Sequence, residues 1–162
     1  MKYRIVFLGF SLLLYGMALS LPCLLFNIVP RDPLVINHLK DYGIYEMKGI
    51  EVTAWGILGL LFLQIPAIGW LANPAYWLSC ILFTRQKYKF SAITSLIAIA
   101  VGYGGTVFAF WFKLPNGSNP DSALALDKLL VGFWIWLAAP ALLAIIALFY
   151  LLKMHRNVEK LT

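Results

Sequence analysis

Four stretches of the chain, 5–29, 52–71, 91–112 and 130–152, run without a single acidic or basic side chain. No other feature of the sequence limits the possible folds so strongly. Crossing a hydrocarbon core of roughly 30 Å takes about 20 apolar helical residues, and each stretch is that long or close to it. Lipid offers backbone polar groups no water, so such segments must be helical, whereas a transmembrane barrel would show short alternating strands. With 62% hydrophobic and only 12% charged residues, the rest of the chain has too little polar surface to wrap these segments in water. The expected fold class is all-α, a polytopic four-transmembrane-helix bundle that makes 1–162 a single integral membrane domain.

The first stretch has the look of a secretory signal, because Lys2 and Arg4 precede an apolar run that reaches Cys23. The run continues through Leu24, Leu25, Phe26 and Ile28 and ends in no small-x-small cleavage site, so it is expected to stay as a permanent helix, kinked at Pro22. Apolar character after residue 51 outlasts one crossing without supplying a second. Pro66 is expected to kink that helix and Asn73-Pro74 to end it, leaving 75–83 as a short interfacial helix anchored by Trp77.

Orientation follows from the basic residues. One set of flanks holds Lys2, Arg4, Arg85, Lys87, Lys89, Lys153, Arg156 and Lys160 against the single acid Glu159, and the other holds five basic residues against six acidic ones. The first set is expected on the cytoplasmic face of a bacterial inner membrane, with both termini. The net charge of +6 therefore reflects membrane orientation and anionic lipid rather than nucleic-acid binding. Trp and Tyr fall near both boundaries, as an aromatic belt requires.

Small residues at helical spacing, Ala98, Gly102 and Thr106, with Gly16 in the first stretch, are candidate helix-packing positions where backbones approach closely. Gln64 is the deepest strong hydrogen-bonding side chain and is expected to bond across to Tyr103 or Tyr15 as structural glue. No carboxylate or basic group lies at mid-depth, which counts against coupled transport. The two histidines, His38 and His155, belong to opposite flanks, and Cys23 and Cys80 are separated by most of the bilayer. No metal-ligand spacing, glycine-rich phosphate loop or nucleophile elbow is present, so no enzyme, metal or cofactor is expected.

Two loops lie outside these stretches. The first, 30–50, mixes charge with apolar residues and places Tyr42, Tyr45 and Glu46 beside the membrane as a candidate partner-contact surface. In the second, Asn119-Pro120-Asp121 reads as a helix cap leading into an amphipathic turn over 122–129. In size, helix count and orientation the chain resembles the membrane-embedded immunity proteins that bacteria make against pore-forming toxins. The likeness is one of gross architecture and carries no residue over. The expected function is that of a membrane interaction protein, immunity-like or an accessory subunit, whose partners are the bilayer and a membrane or periplasmic protein. A passive channel or lipid-handling protein is the alternative. A reporter fused after Lys89 or at the C-terminus is expected in the cytoplasm, and one after Gly43 or Gly117 on the far side; an exported reporter after Lys89 would break the orientation.

Overall fold

The computed structural model describes residues 2–31, 43–117 and 119–159, with side chains over 4–31, 43–117 and 119–154. Helix α1 (Lys2–Ser20) runs into strand β1 (Pro22–Pro30), and strand β2 (Ile44–Lys48) runs into helix α2 (Gly49–Leu61). A 3-10 segment, Ile65–Leu71, continues directly into α3 (Ala72–Thr84). Helix α4 (Tyr88–Val107) ends in a 3-10 turn, Phe108–Phe110, followed by β3 (Leu114–Pro115), β4 (Ser122–Leu129) and α5 (Val131–Glu159). The strands form one antiparallel sheet in the order β2-β1-β4-β3.

The expectation of an all-α four-span bundle is therefore corrected. Both loops contribute a hairpin, and the two hairpins pair through β1 and β4, with Phe26 opposite Leu126 and Ile28 opposite Leu124. The end of the supposed first span, 22–29, is this strand. Pro22 has no N–H to continue the helix, and the apolar residues beyond it bury a sheet face instead. Phe26 is completely buried, and Leu24, Met47, Leu124 and Leu126 join Ala109 of the 3-10 turn after α4 and Phe133 and Leu137 of α5 in one cluster. Asn119-Pro120-Asp121 caps no helix: the Asp121 N–H donates to Asn119 Oδ1 at 2.9 Å in a turn that opens β4.

Three helical stretches are long and apolar enough to cross a membrane, namely Ile65–Thr84, Tyr88–Phe110 and Val131–Met154, while Arg4–Ser20 and Gly49–Leu61 are shorter. The second expected span, 52–71, is thus displaced along the chain. Helix α2 stops because Gln64 N–H bonds to Gly59 O and Leu63 N–H to Leu60 O, with Leu63 at φ 54, the closing pattern in which a left-handed residue turns the last carbonyls inward. A leucine there costs about 1–2 kcal/mol relative to its ordinary backbone, so no sequence signal marks the break. The expected break at Asn73-Pro74 does not occur, since Pro74 occupies the first turn of α3, where a missing N–H is harmless. Residues 75–83 are consequently no interfacial helix: Tyr76, Ser79, Cys80 and Phe83 are buried within the long helix.

Below the sheet, α1, α3, α4 and α5 share a core of small and aromatic residues, among them Ala98, Ala139, Tyr76 and Phe83. Its polar groups are bonded between helices. Ser11 donates to Ala139 O at 2.8 Å, which leaves its oxygen to accept from the Tyr76 hydroxyl at 2.7 Å. Ser79 and Ser91 each donate to the other's carbonyl, and Ser79 also shares a hydrogen bond with Ser95. At the end away from the sheet, Arg4 Nη1 donates to the Tyr88 hydroxyl at 3.0 Å, and Tyr88 stacks on Tyr150.

A very close helix approach lies between the 3-10 segment and α4. A Cβ placed on Gly105 would collide with the backbone of Gly69, and one on Gly69 would meet Thr106 Oγ1 at 2.8 Å. On Gly102 it would meet the Trp136 ring at 2.8 Å, whereas on Gly104 it would meet nothing within 4 Å. Gly105→Leu is therefore expected to cost at least about 1–3 kcal/mol and to lower the thermal midpoint and folded yield in detergent. Gly104→Leu should leave both near the parent. Equal losses in the two variants would contradict this packing.

Candidate functional site

A cavity of about 760 Å³, partly open, lies between the inner face of the sheet and the flank of the helices. Its roof is the sheet, through Leu24, Met47 and Leu124, and its back wall is Ala109 of the 3-10 turn after α4 with Phe133 and Trp136 of α5. The floor is Gly69, Trp70 and Asn73, where the 3-10 segment enters α3. Helix α2 forms the outer wall through Val52, Thr53, Gly56 and Gly59.

Local chemistry explains why α2 stands apart from the bundle. The Lys48 backbone N–H donates to Glu51 Oε2 at 2.9 Å, which caps the start of the helix and occupies the Glu51 carboxylate. Gly49 abuts the end of α1, where a Cβ would strike the Ala18 carbonyl. Farther along, Gly56 and Gly59 lie against Trp70 and Ala67, and Trp70 Nε1 donates to Thr53 O at 2.8 Å. One face of α2 is thus pinned to the 3-10 segment. The other leaves Trp55 58%, Leu61 72% and Phe62 74% exposed.

No acidic or basic side chain lines the cavity, among the described residues. The lining residues that carry polar side-chain groups are few: Thr53, Gln64, Asn73, Thr106, Asn116 and Tyr45, with Trp55, Trp70 and Trp136. Thr53 donates to its own helix, at Gly49 O, and Trp70 is committed to Thr53. Asn73 is the most enclosed of them, at 5% exposure. Its Oδ1 accepts from the Tyr15 hydroxyl at 3.0 Å and from Trp136 Nε1 at 3.1 Å. Cys23 also lines the cavity, but burial pushes its thiol up to about 12, so it stays protonated and a poor nucleophile near neutral pH. Burial likewise raises the Tyr45 phenol, with Glu51 adding to the shift.

The residues singled out from the sequence are scattered over this arrangement. Tyr45 stands at the cavity wall in β2, and Glu46, the next residue, is exposed on the other face of the strand. Tyr42 and His38 lie outside the described residues. Gln64 faces the cavity beside Gly59 rather than bonding to Tyr15, whose hydroxyl goes to Asn73, or to Tyr103, which is 47% exposed and rests on Trp134. Ala98 and Gly102 are buried between helices, Thr106 lies against Gly69 and the cavity, and Gly16 faces open space. Asn73 escaped notice because an asparagine before proline reads as a turn; a carboxamide within an otherwise apolar stretch was the available signal.

Among the described residues no three of His, Cys, Asp and Glu gather as a metal site. No known protein family, curated protein or solved structure matches the chain. The arrangement is suited to holding a ligand that is uncharged where it meets the protein, with apolar walls supplying most of the contact and a few polar groups fixing its orientation.

Proposed function

We propose that the protein is an integral membrane protein of the bacterial inner membrane that binds a neutral, lipid-like amphiphile in the cavity beneath its sheet. The cavity carries this reading: its volume lies within the roughly 300–1,000 Å³ of small-molecule sites, and its walls are largely apolar, with no charged side chain among the described residues. Exposed apolar residues of α2 beside the opening offer a path from lipid that does not pass through water. Three helices with the length and composition of membrane spans support the location. An orientation with the sheet outside and the other end in the cytoplasm is supported by Arg4, Arg85, Lys87, Lys89 and Lys153 at the helix ends away from the sheet.

A second reading, the interaction protein suggested by the sequence, is favoured by one observation. Strand β2 is an edge of the described sheet, with Ile44 69% exposed and Glu46 exposed beside it, and an edge strand is able to pair with a segment of another protein. The two readings separate on what accompanies the purified chain. Native mass spectrometry from mild detergent is expected to show one bound acyl lipid on the parent. Val52→Trp, which fills the cavity from the α2 side, should reduce that population at least tenfold while the protein stays folded. A parent free of lipid would overturn the first reading, and an equimolar protein partner lost on Glu46→Arg would establish the second.

A further inference from the structure

We infer that Asn73 is the specificity-determining residue of the cavity and donates a hydrogen bond to the acyl-ester carbonyl of a membrane lipid. The inference rests on the cavity being a ligand site, and the geometry of one carboxamide carries it further.

An indole nitrogen only donates, so the Asn73 atom that faces Trp136 Nε1 must be the carbonyl oxygen, and the side-chain amide cannot be turned the other way. The Tyr15 hydroxyl donates to the same oxygen. With both acceptor sites of Oδ1 filled, the NH₂ group is directed elsewhere. It has no hydrogen-bond partner among the described residues, yet no side-chain nitrogen or oxygen sealed off by protein lacks one. The Asn73 NH₂ therefore borders open space, and the space that Asn73 lines is the cavity. A donor that faces an apolar cavity gains a net of about 0.5–1.5 kcal/mol from a ligand acceptor held against it.

What accepts the bond follows from the surroundings. Among the described residues no charged side chain lines the cavity to balance a carboxylate or phosphate there, so the acceptor is taken as neutral. It sits on an apolar body, because most of the cavity's lining is apolar, Gly69, Ala109, Phe133 and Met47 among it. Depth agrees: Tyr15 lies five residues before the end of α1 and Trp136 five after the start of α5, roughly 7 Å below the sheet end of the helices. A carbonyl at that depth leaves the headgroup toward the sheet end of the helices and the chain among the apolar walls.

The test uses two probes that differ only in the acceptor, a dibrominated octadecanoyl methyl ester and the dibrominated alkane of equal length. Both are titrated into protein in nanodiscs, and the saturable tryptophan quenching absent from Val52→Trp is read as cavity occupancy. The parent is expected to bind the ester about three- to tenfold more tightly than the alkane, the worth of one neutral hydrogen bond. Asn73→Leu should lose that preference while keeping the alkane affinity. Because this variant strands the Tyr15 and Trp136 donors and is at risk of misfolding, the parent alone gives a second readout. A carbon-13 ester carbonyl should show a lower infrared stretching frequency when bound than in bilayer. Equal affinities with an unshifted carbonyl would overturn the role of Asn73 and leave the cavity reading intact. Saturable binding of neither probe would overturn the cavity reading itself.

Discussion

Pairing between β1 and β4 is the constraint on which the rest of the structure depends. Strand β1 begins two residues after α1 ends, and α5 begins two residues after β4 ends, so the ladder ties those two helices together at one end. The tie is extended by Leu130, whose N–H donates to Cys23 O at 2.8 Å, and by a tight approach of Gly132 to Pro22 O. Once the strands are paired, the inner face of the sheet covers the ends of α4 and α5, where Phe26, Leu124 and Leu126 cluster with Ala109, Phe133 and Leu137. The hairpin partner β2 then delivers α2 to the outside of the bundle, and the gap between α2, the sheet and the 3-10 segment is the cavity.

Polar groups in the helical layer follow a strict economy. Serine hydroxyls at Ser11, Ser79, Ser91 and Ser95 are completely buried, and each bonds across to a neighbouring helix. Such bonds fix rotation and depth between helices that apolar contacts alone would leave free to slide. Asn73 departs from that pattern. Its acceptor is used twice while its donors have no partner among the described residues, and that departure in an otherwise satisfied layer is the basis for proposing a ligand there.

How much of this could be read from the sequence depends on which physical property each segment reports. The apolar runs at 91–112 and 130–152 coincide within a few residues with the stretches Tyr88–Phe110 and Val131–Met154, since uninterrupted apolar length is a direct signal. The run 22–29 misled because a strand buried on a helical layer and a membrane helix are both continuously apolar, and only Pro22 argued for the change. The break after α2 was hidden by a leucine in a backbone position where glycine is usual. At the cavity, the aromatic and glycine-rich composition was visible but its convergence was not, because Asn73, Trp136 and Leu24 meet only through long-range pairing. Tyr45 was found for its composition, and the sheet gave it a different neighbourhood from the one expected.

The most direct measurement of the central claim, that the two loops are joined through β1 and β4, is cysteine cross-linking in membranes of a chain with Cys23 and Cys80 replaced by alanine. Asn27 and Ala125 are register partners on the less buried face of the sheet. Leu25 and Ala123 are four residues out of register, since Ala123 is opposite Val29, a separation of about 13 Å along the strand. Disulfides form only when Cα atoms come within about 7 Å. The account predicts rapid oxidation of the Asn27→Cys/Ala125→Cys pair and none of the Leu25→Cys/Ala123→Cys pair. Failure of the first, or equal cross-linking of both, would mean that the chain from Pro22 to Pro30 is not paired with β4 and that the cavity has no roof.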